Sequence, residues 1–193
     1  MEVPLSPRLD ARSKLLDAAA RLFYAHGISA TGIDAVIAEA GVAKMSLYNN
    51  FESKSGLVAA YLQARHEEWL ELYRARLGAS SDPVGGVLAI VDAYLDHAEA
   101  GYEHGFRGCG LLNAAAELPA GDPGRSIVAG HKAQVEDLLR EHLESLTDSR
   151  QAAALAEQIS FLLEGAISRA GLEGHSELLH RAKSLITSMV RAL

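Results

Sequence analysis

The sequence predicts an all-α protein, with an N-terminal helix-turn-helix domain of three helices followed by a C-terminal helical bundle, about nine helices in all. Apolar residues recur three and four apart along most of the chain, and no long alternating Val, Ile and Thr run suggests a strand. Glycine, proline and short polar clusters interrupt this periodicity where turns between helices are needed.

The first helix is expected from about Asp10 to His26, burying Leu15, Leu16, Ala19, Leu22 and Phe23, with Gly27 as a left-handed C-terminal cap. In Thr31-Gly-Ile-Asp34 the Thr31 hydroxyl can accept a backbone N–H of the next helix, and Asp34 suits the positive end of its dipole. That second helix ends at Ala40, and Gly41-Val42 turns the chain into a third helix from Lys44 to Asn50. Leu47 and Phe51, four apart, can dock it on the first two. Two short helices joined by a glycine-containing turn form the helix-turn-helix pattern. Ser53 can cap a long fourth helix reaching Leu77, with Val58, Leu62, Arg65, Trp69 and Leu72 on one stripe.

The polar segment 78–83 separates this region from the bundle. Helices are expected over Val84–Ala100 and Leu111–Leu118, from after Gly124 to about Leu146, over Arg150–Ala170 and over Ser176–Leu193. The glycine-dense run 101–110 reads as a hinge or loop. The domain division expected from these signals is 1–55 and 56–193. In the eighth helix Leu155, Ile159, Leu162 and Ala166 form one apolar stripe while Ala152, Ala156, Leu163, Ile167 and Ala170 form another. A helix apolar on two faces must be buried on two faces, either inside one bundle or against a second copy. With Gly165 allowing close approach, and Leu185 and Met189 on the ninth helix, a homodimer through the last two long helices is expected.

Composition narrows the function. With 193 residues, 49% hydrophobic, the chain can bury a sizeable core. The single cysteine, Cys109, excludes an intrachain disulfide and any zinc site that needs paired cysteines. The opening MEVPLSPR lacks the basic and apolar runs of a secretory leader, and no segment is apolar enough to span a membrane, so a cytoplasmic location without membrane partners is expected. Taken over the whole chain, a net charge of -7 opposes a nucleic-acid partner. Its distribution changes that reading. Residues 1–78 hold 9 basic and 9 acidic side chains, which leaves 9 basic and 16 acidic in the remainder, so the whole acidic excess is C-terminal.

The stretch GISATGIDAVIAEAGVAKMSLYNNFESKSGL, Gly27 to Leu57, resembles the TetR family of bacterial transcriptional regulators. The likeness lies in the threonine opening the second helix, the Ala40–Val42 turn, Leu47-Tyr48-x-x-Phe51, and the Ser53-Lys54 start of the fourth helix. It implies an all-helical homodimer with an N-terminal DNA-binding domain and a C-terminal ligand pocket. The third helix would then enter the major groove of double-stranded DNA, presenting Lys44, Met45, Ser46, Tyr48 and Asn49. Lys44 suits guanine acceptors or a phosphate and Asn49 an adenine edge, while Ser46 can serve either and Tyr48 can meet the sugar-phosphate. Lys54 and Thr31, at helix starts, are placed for phosphates. Elsewhere such residues are simply solvated. Asn50 stands where the family often has histidine, and Ala43 where a capping serine or threonine is common, a loss of about 0.5–2 kcal/mol of local support. Arg8 and Arg12 are candidates for additional contacts.

The resemblance places an inducer among the polar residues of the second half: His97, Tyr102, Phe106, Cys109, Asn113, Glu117, His131, Phe161 and Glu164. None carries a motif. His131 and His142 on an apolar helix face read more simply as satisfied core histidines, and Glu164 as either a cation anchor or a core hydrogen-bonding group. No cofactor is implied. A metal sensor using His97, His104, Cys109 and His131 lacks ligand spacing, and a thiol switch at Cys109 rests on one residue. No nucleophile elbow, zinc-protease or phosphate-loop motif suggests an enzyme. The expected function is a repressor that binds a palindromic operator as a dimer and is released by a small molecule.

Overall fold

The computed structural model describes residues 10–80 and 82–193. Arg8 lies outside these residues. Nine helices and no strand occur among them: α1 (Ala11–His26), α2 (Ile33–Ala40), α3 (Lys44–Phe51), α4 (Lys54–Leu77), α5 (Pro83–Ala98), α6 (Gly110–Glu117), α7 (Pro123–Leu143), α8 (Ser149–Glu173) and α9 (Glu177–Arg191). No described helix is long and apolar enough to cross a membrane.

Most helix starts follow from a short polar side chain one residue ahead. Asp10 accepts from Ser13 N at 2.7 Å, Ser53 from Gly56 N at 3.0 Å and Asp82 from Gly85 N at 2.8 Å. Asp122 and Asp148 serve α7 and α8 in the same way. At Ala43 there is no side-chain cap, as the sequence indicates.

Two expectations for the α1–α2 connection are corrected. Gly27 is not in the left-handed helical region: its φ of 89° and ψ of 160° send the chain out extended, while its N–H still bonds Phe23 O. Thr31 does not cap α2, which starts from Gly32 without a side-chain bond. The connection instead folds Thr31 inward, 4% exposed, where its hydroxyl donates to Gly27 O at 2.7 Å. A hydroxyl enclosed in this way satisfies a carbonyl left open by the end of α1 and is not presented to a phosphate. At the next turn Gly41 adopts φ 62°, and its N–H closes on Ala38 O, setting α3 across α2.

The interior forms two apolar clusters. Leu15, Phe23, Val36, Leu47, Phe51, Leu57 and Tyr61 join Leu111, Ala114 and Val128, so α6 and the start of α7 share the core of the first three helices. Leu47 has no accessible surface, and truncating such a leucine to alanine costs about 2–5 kcal/mol. The second cluster gathers Trp69, Ile90, Tyr94, Leu139, Leu163, Ile167, Leu179 and Ile186 from α4, α5, α7, α8 and α9.

The two-faced α8 divides its residues differently from expectation. Ile159 is wholly buried inside the protomer and Ala166 nearly so, because α7, α5 and α9 cover that side. Ile159 is therefore core. Leu155, Leu162 and Met189 are half-buried, Gly165 is exposed and Leu185 is 57% exposed. Phe161, expected in the ligand site, is instead 67% exposed on this outer face.

Candidate nucleic-acid interface and ligand cavity

The outward face of α3 is set by its anchors. Leu47 and Phe51 point into the first core, so the other side of α3 faces out: Lys44, Met45, Tyr48, Asn49 and Asn50 are exposed and Ser46 is half-buried. Met45 is 66% exposed and Tyr48 41%, unusual for such side chains. Lys44 Nζ lies 3.0 Å from Asp34 Oδ1, tying the first turn of α3 to the first turn of α2. Asp34 holds the lysine above its ordinary pKa through this hydrogen bond and its charge. Asn50 donates its side-chain amide to Ser46 O one turn back, at 2.7 Å. Lys54, half-buried, begins α4. Arg12 is exposed, with its guanidinium 5.2 Å from the Phe51 ring centre.

Beneath the first core, a cavity of about 150 Å³ opens between α1, α4, α5, the 101–110 loop, the start of α6, α7 and Ile167 of α8. Of the expected ligand residues, His97, Tyr102, Cys109 and His131 line it. The others do not. Phe106 is buried behind Tyr102 and His97, with ring centres 6.2 Å from each. Asn113 donates to Arg107 O at 2.8 Å. Glu117 accepts from Ile28 N at 2.9 Å and Ser29 N at 2.7 Å; burial would raise its pKa, but these backbone donors hold it below the ordinary value. Glu164 sits behind the wall, accepting at 2.8 Å from both Tyr94 Oη and Lys132 Nζ. The cation it anchors belongs to its own chain.

Sequence reasoning missed Tyr24, Tyr61, Arg65, Glu68, Trp69, Tyr94 and Lys132, all of which line the cavity. Arg65 was the available signal, a charged residue set within the apolar stripe of α4. Tyr24 comes from α1, so the first three helices supply part of the wall. Its ring stacks on Tyr102 at 4.3 Å, and its hydroxyl donates to Gly108 O at 3.1 Å while accepting from Arg107 N at 2.7 Å. Burial pushes this phenol up to about 12. The loop is held in turn against α8, where a Cβ on Gly171 would lie 2.4 Å from Gly108 N.

Two histidines in the wall are neutral near pH 7. Burial, assisted by the positive charge of Lys132 and the neighbouring histidines, lowers His131 to about 3. His97 falls to about 4, again chiefly through burial. His131 Nδ1 is 3.0 Å from His66 Nδ1, so it is a satisfied core histidine that also faces the cavity. His142 is likewise partnered, by Tyr73 Oη at 2.8 Å. Lys132 stays charged: burial opposes this, but Tyr94, Cys109 and Glu164 outweigh it and raise its pKa. Its Nζ is 3.6 Å from Cys109 Sγ. Although His97, His104, Cys109 and His131 all line the cavity, no three His, Cys, Asp or Glu side chains among the described residues are grouped to hold a metal ion.

An anchored, outward-facing helix after a glycine turn, carried on a helical body with a cavity, defines the class of helix-turn-helix regulators. Residues 15–61 match the family model described as bacterial regulatory proteins, tetR family. The fold matches that of SCO4454, a TetR-family transcriptional regulator from Streptomyces coelicolor, with 33% identity, a TM-score of 0.82 and 93% of each chain covered. It also matches a tetr-transcriptional regulator (sav143) from Streptomyces avermitilis at 27% identity and a TM-score of 0.74, over 95% of this chain and 99% of that one. The chain belongs to the TetR family of DNA-binding transcriptional regulators, and is not an enzyme. Among curated relatives, the HTH-type transcriptional activator FasR of Mycolicibacterium smegmatis is 36% identical over 93 residues; the match spans 48% of this chain and only 42% of FasR.

Proposed function

We propose that this regulator is a repressor that binds a palindromic operator as a homodimer and is released by a small-molecule inducer. In this reading residues 1–55 form the reading head and residues 56–193 the ligand-binding and dimerising body. The observation that carries it is the exposure of Met45, Tyr48 and Asn49 on a helix whose opposite side is locked by Leu47 and Phe51. Asn49 suits an adenine edge, the Met45 methyl suits a thymine methyl, and Lys44 with Lys54 suits guanine or phosphate oxygens. Few cations face outward on this head, so specific binding relies on two heads acting together.

The outer face of α8 and α9 supports the dimer. Phe161, Leu162, Gly165, Ala166, Leu178 and Leu185 flank a groove there, and two large apolar side chains stand exposed in it. The cavity supports ligand control because it touches both the body and α1. An occupant that fits one arrangement of Tyr24 and Tyr102 better than another would shift the spacing of the two heads, by no more than its differential affinity for the two states. The long α4, which runs from the first core to the second, is a further lever.

The test is selection of duplexes from a random library by the purified protein, followed by anisotropy titration of the winner. A palindrome with half-site centres about 34–36 Å apart, bound by two subunits, is expected. Recovery of no enriched sequence, or binding by a single subunit, overturns the reading.

A further inference from the structure

Size, shape and charge of the cavity together narrow what it can hold. A void of roughly 150 Å³, partly open to solvent, has room for a benzene-sized ring. Aromatic rings form part of its walls: Trp69 lies edge-on to Tyr94 at 5.7 Å and to His131 at 5.3 Å, and Tyr102 lines it from the loop. Rings in this arrangement leave an aromatic guest both faces and edges to pack against.

The charges in the wall are already paired. Arg65 contacts Glu68 at 2.5 Å, Lys132 contacts Glu164 at 2.8 Å, and Arg21 is held by Glu39 at 2.8 Å. Both buried histidines are neutral, so once these pairs are made the inner lining carries no unpaired charge to offer an ion. A guest anion would break an existing pair and pass the exposed carboxylate of Glu103 at the rim. Three buried side-chain atoms among the described residues have no partner: the acceptor Glu164 Oε2, behind the wall, and the donors Arg65 Nε and Trp69 Nε1, one turn apart on α4 and both on residues that line the cavity. On the lining itself the missing group is therefore an acceptor, an arrangement costly unless something completes it.

Building on the ligand-responsive reading above, we propose that the cavity takes an uncharged, single-ring aromatic compound bearing one oxygen acceptor, with its ring against Trp69, Tyr94 and Tyr102 and its oxygen toward the Arg65 and Trp69 donors.

The chain has one tryptophan, so Trp69 emission under selective excitation reports on this cavity alone. Three probes are titrated into the full-length protein, with absorbance correction: acetophenone (ring plus neutral acceptor), toluene (ring alone) and benzoate (ring plus charge). Acetophenone is expected to bind about tenfold more tightly than either of the others, the value of one added neutral hydrogen bond. By calorimetry, Trp69→Phe, which keeps a smaller ring and removes the donor, should weaken acetophenone about tenfold more than it weakens toluene. Equal binding of toluene, tighter binding of benzoate, or no response to any probe overturns the proposal, and the wild-type series decides this even if the variant folds poorly. Acetophenone binding without release of the selected duplex supports this ligand class while overturning operator release. Duplex selection that succeeds when all three probes fail overturns the ligand class and leaves DNA recognition standing.

Discussion

Arg107 Nη1 lies 2.6 Å from the carbonyl oxygen of Tyr24 and at the same distance from that of Ala25. A guanidinium from the cavity loop thus closes the C-terminal end of α1, where open carbonyls and the helix dipole favour a cation. Arg107→Met should keep the cavity and cut this tie. Ligand affinity, read from Trp69 emission, is expected to stay within about twofold, while the ligand-induced change in operator affinity shrinks several-fold. An unaltered DNA response would show that α4 alone carries the signal.

On the proposed reading head, Asp34 holds Lys44 and would also present its own negative charge to approaching DNA. Asp34→Asn should tighten binding to all sequences and steepen the salt dependence, whereas Lys44→Ala should weaken binding and lower the salt slope by roughly 1 per subunit. Asn49→Ala should change base preference with little effect on the slope. Anisotropy titrations at several salt concentrations separate these outcomes.

The outer face of α8 and α9 makes a third prediction. Leu185 lies beside Arg169 and Arg181 in the groove, so Leu185→Arg crowds cations where a partner would sit. Light scattering should report monomers at micromolar concentration, with palindrome affinity lost and circular dichroism unchanged. A Leu185→Arg variant that remains dimeric would place the interface elsewhere.

Acid sensitivity should trace to His131. Its folded pKa of about 3 lies below the ordinary 6.5, so the unfolded chain binds a proton that the folded chain refuses. Stability from this group is complete above the ordinary value and falls as pH drops toward the folded one, by about 2 kcal/mol between neutrality and pH 5. His97 acts in the same direction. Chemical denaturation at the two pH values should show the loss, and His131→Gln should reduce it.

Local signals were legible where the chain speaks to its own neighbours. Gly41, Ser53, Leu47 and Phe51 act within a few residues of their positions in sequence, and their helix starts, turn and anchors follow from short-range chemistry. Thr31 misled because the same hydroxyl can close a helix behind it or open one ahead, and only the packing of Ile28 on α1 decides between them. The cavity was less legible for a related reason. Its walls come from α1, α4, α5, α6, α7, α8 and the loop, so no periodic stripe lists them together. Glu117, Asn113 and Phe161 are polar or aromatic residues on suitable helices, yet two are consumed by backbone donors or acceptors and the third faces outward. Lys132 went unnoticed because a lysine beside a histidine looks solvated until Glu164 and Tyr94 enclose it.

That α1 forms part of the cavity wall has a consequence for operator DNA itself. Any factor by which an occupant loosens the reading heads from DNA must equal the factor by which DNA loosens the occupant from Tyr24 and its neighbours. If an occupant releases the heads as proposed, operator DNA is in turn an antagonist of the cavity. Molecules of this protein seated on their operator would answer only to higher concentrations of ligand than those diffusing free, so one chain carries two thresholds, set by where it happens to be.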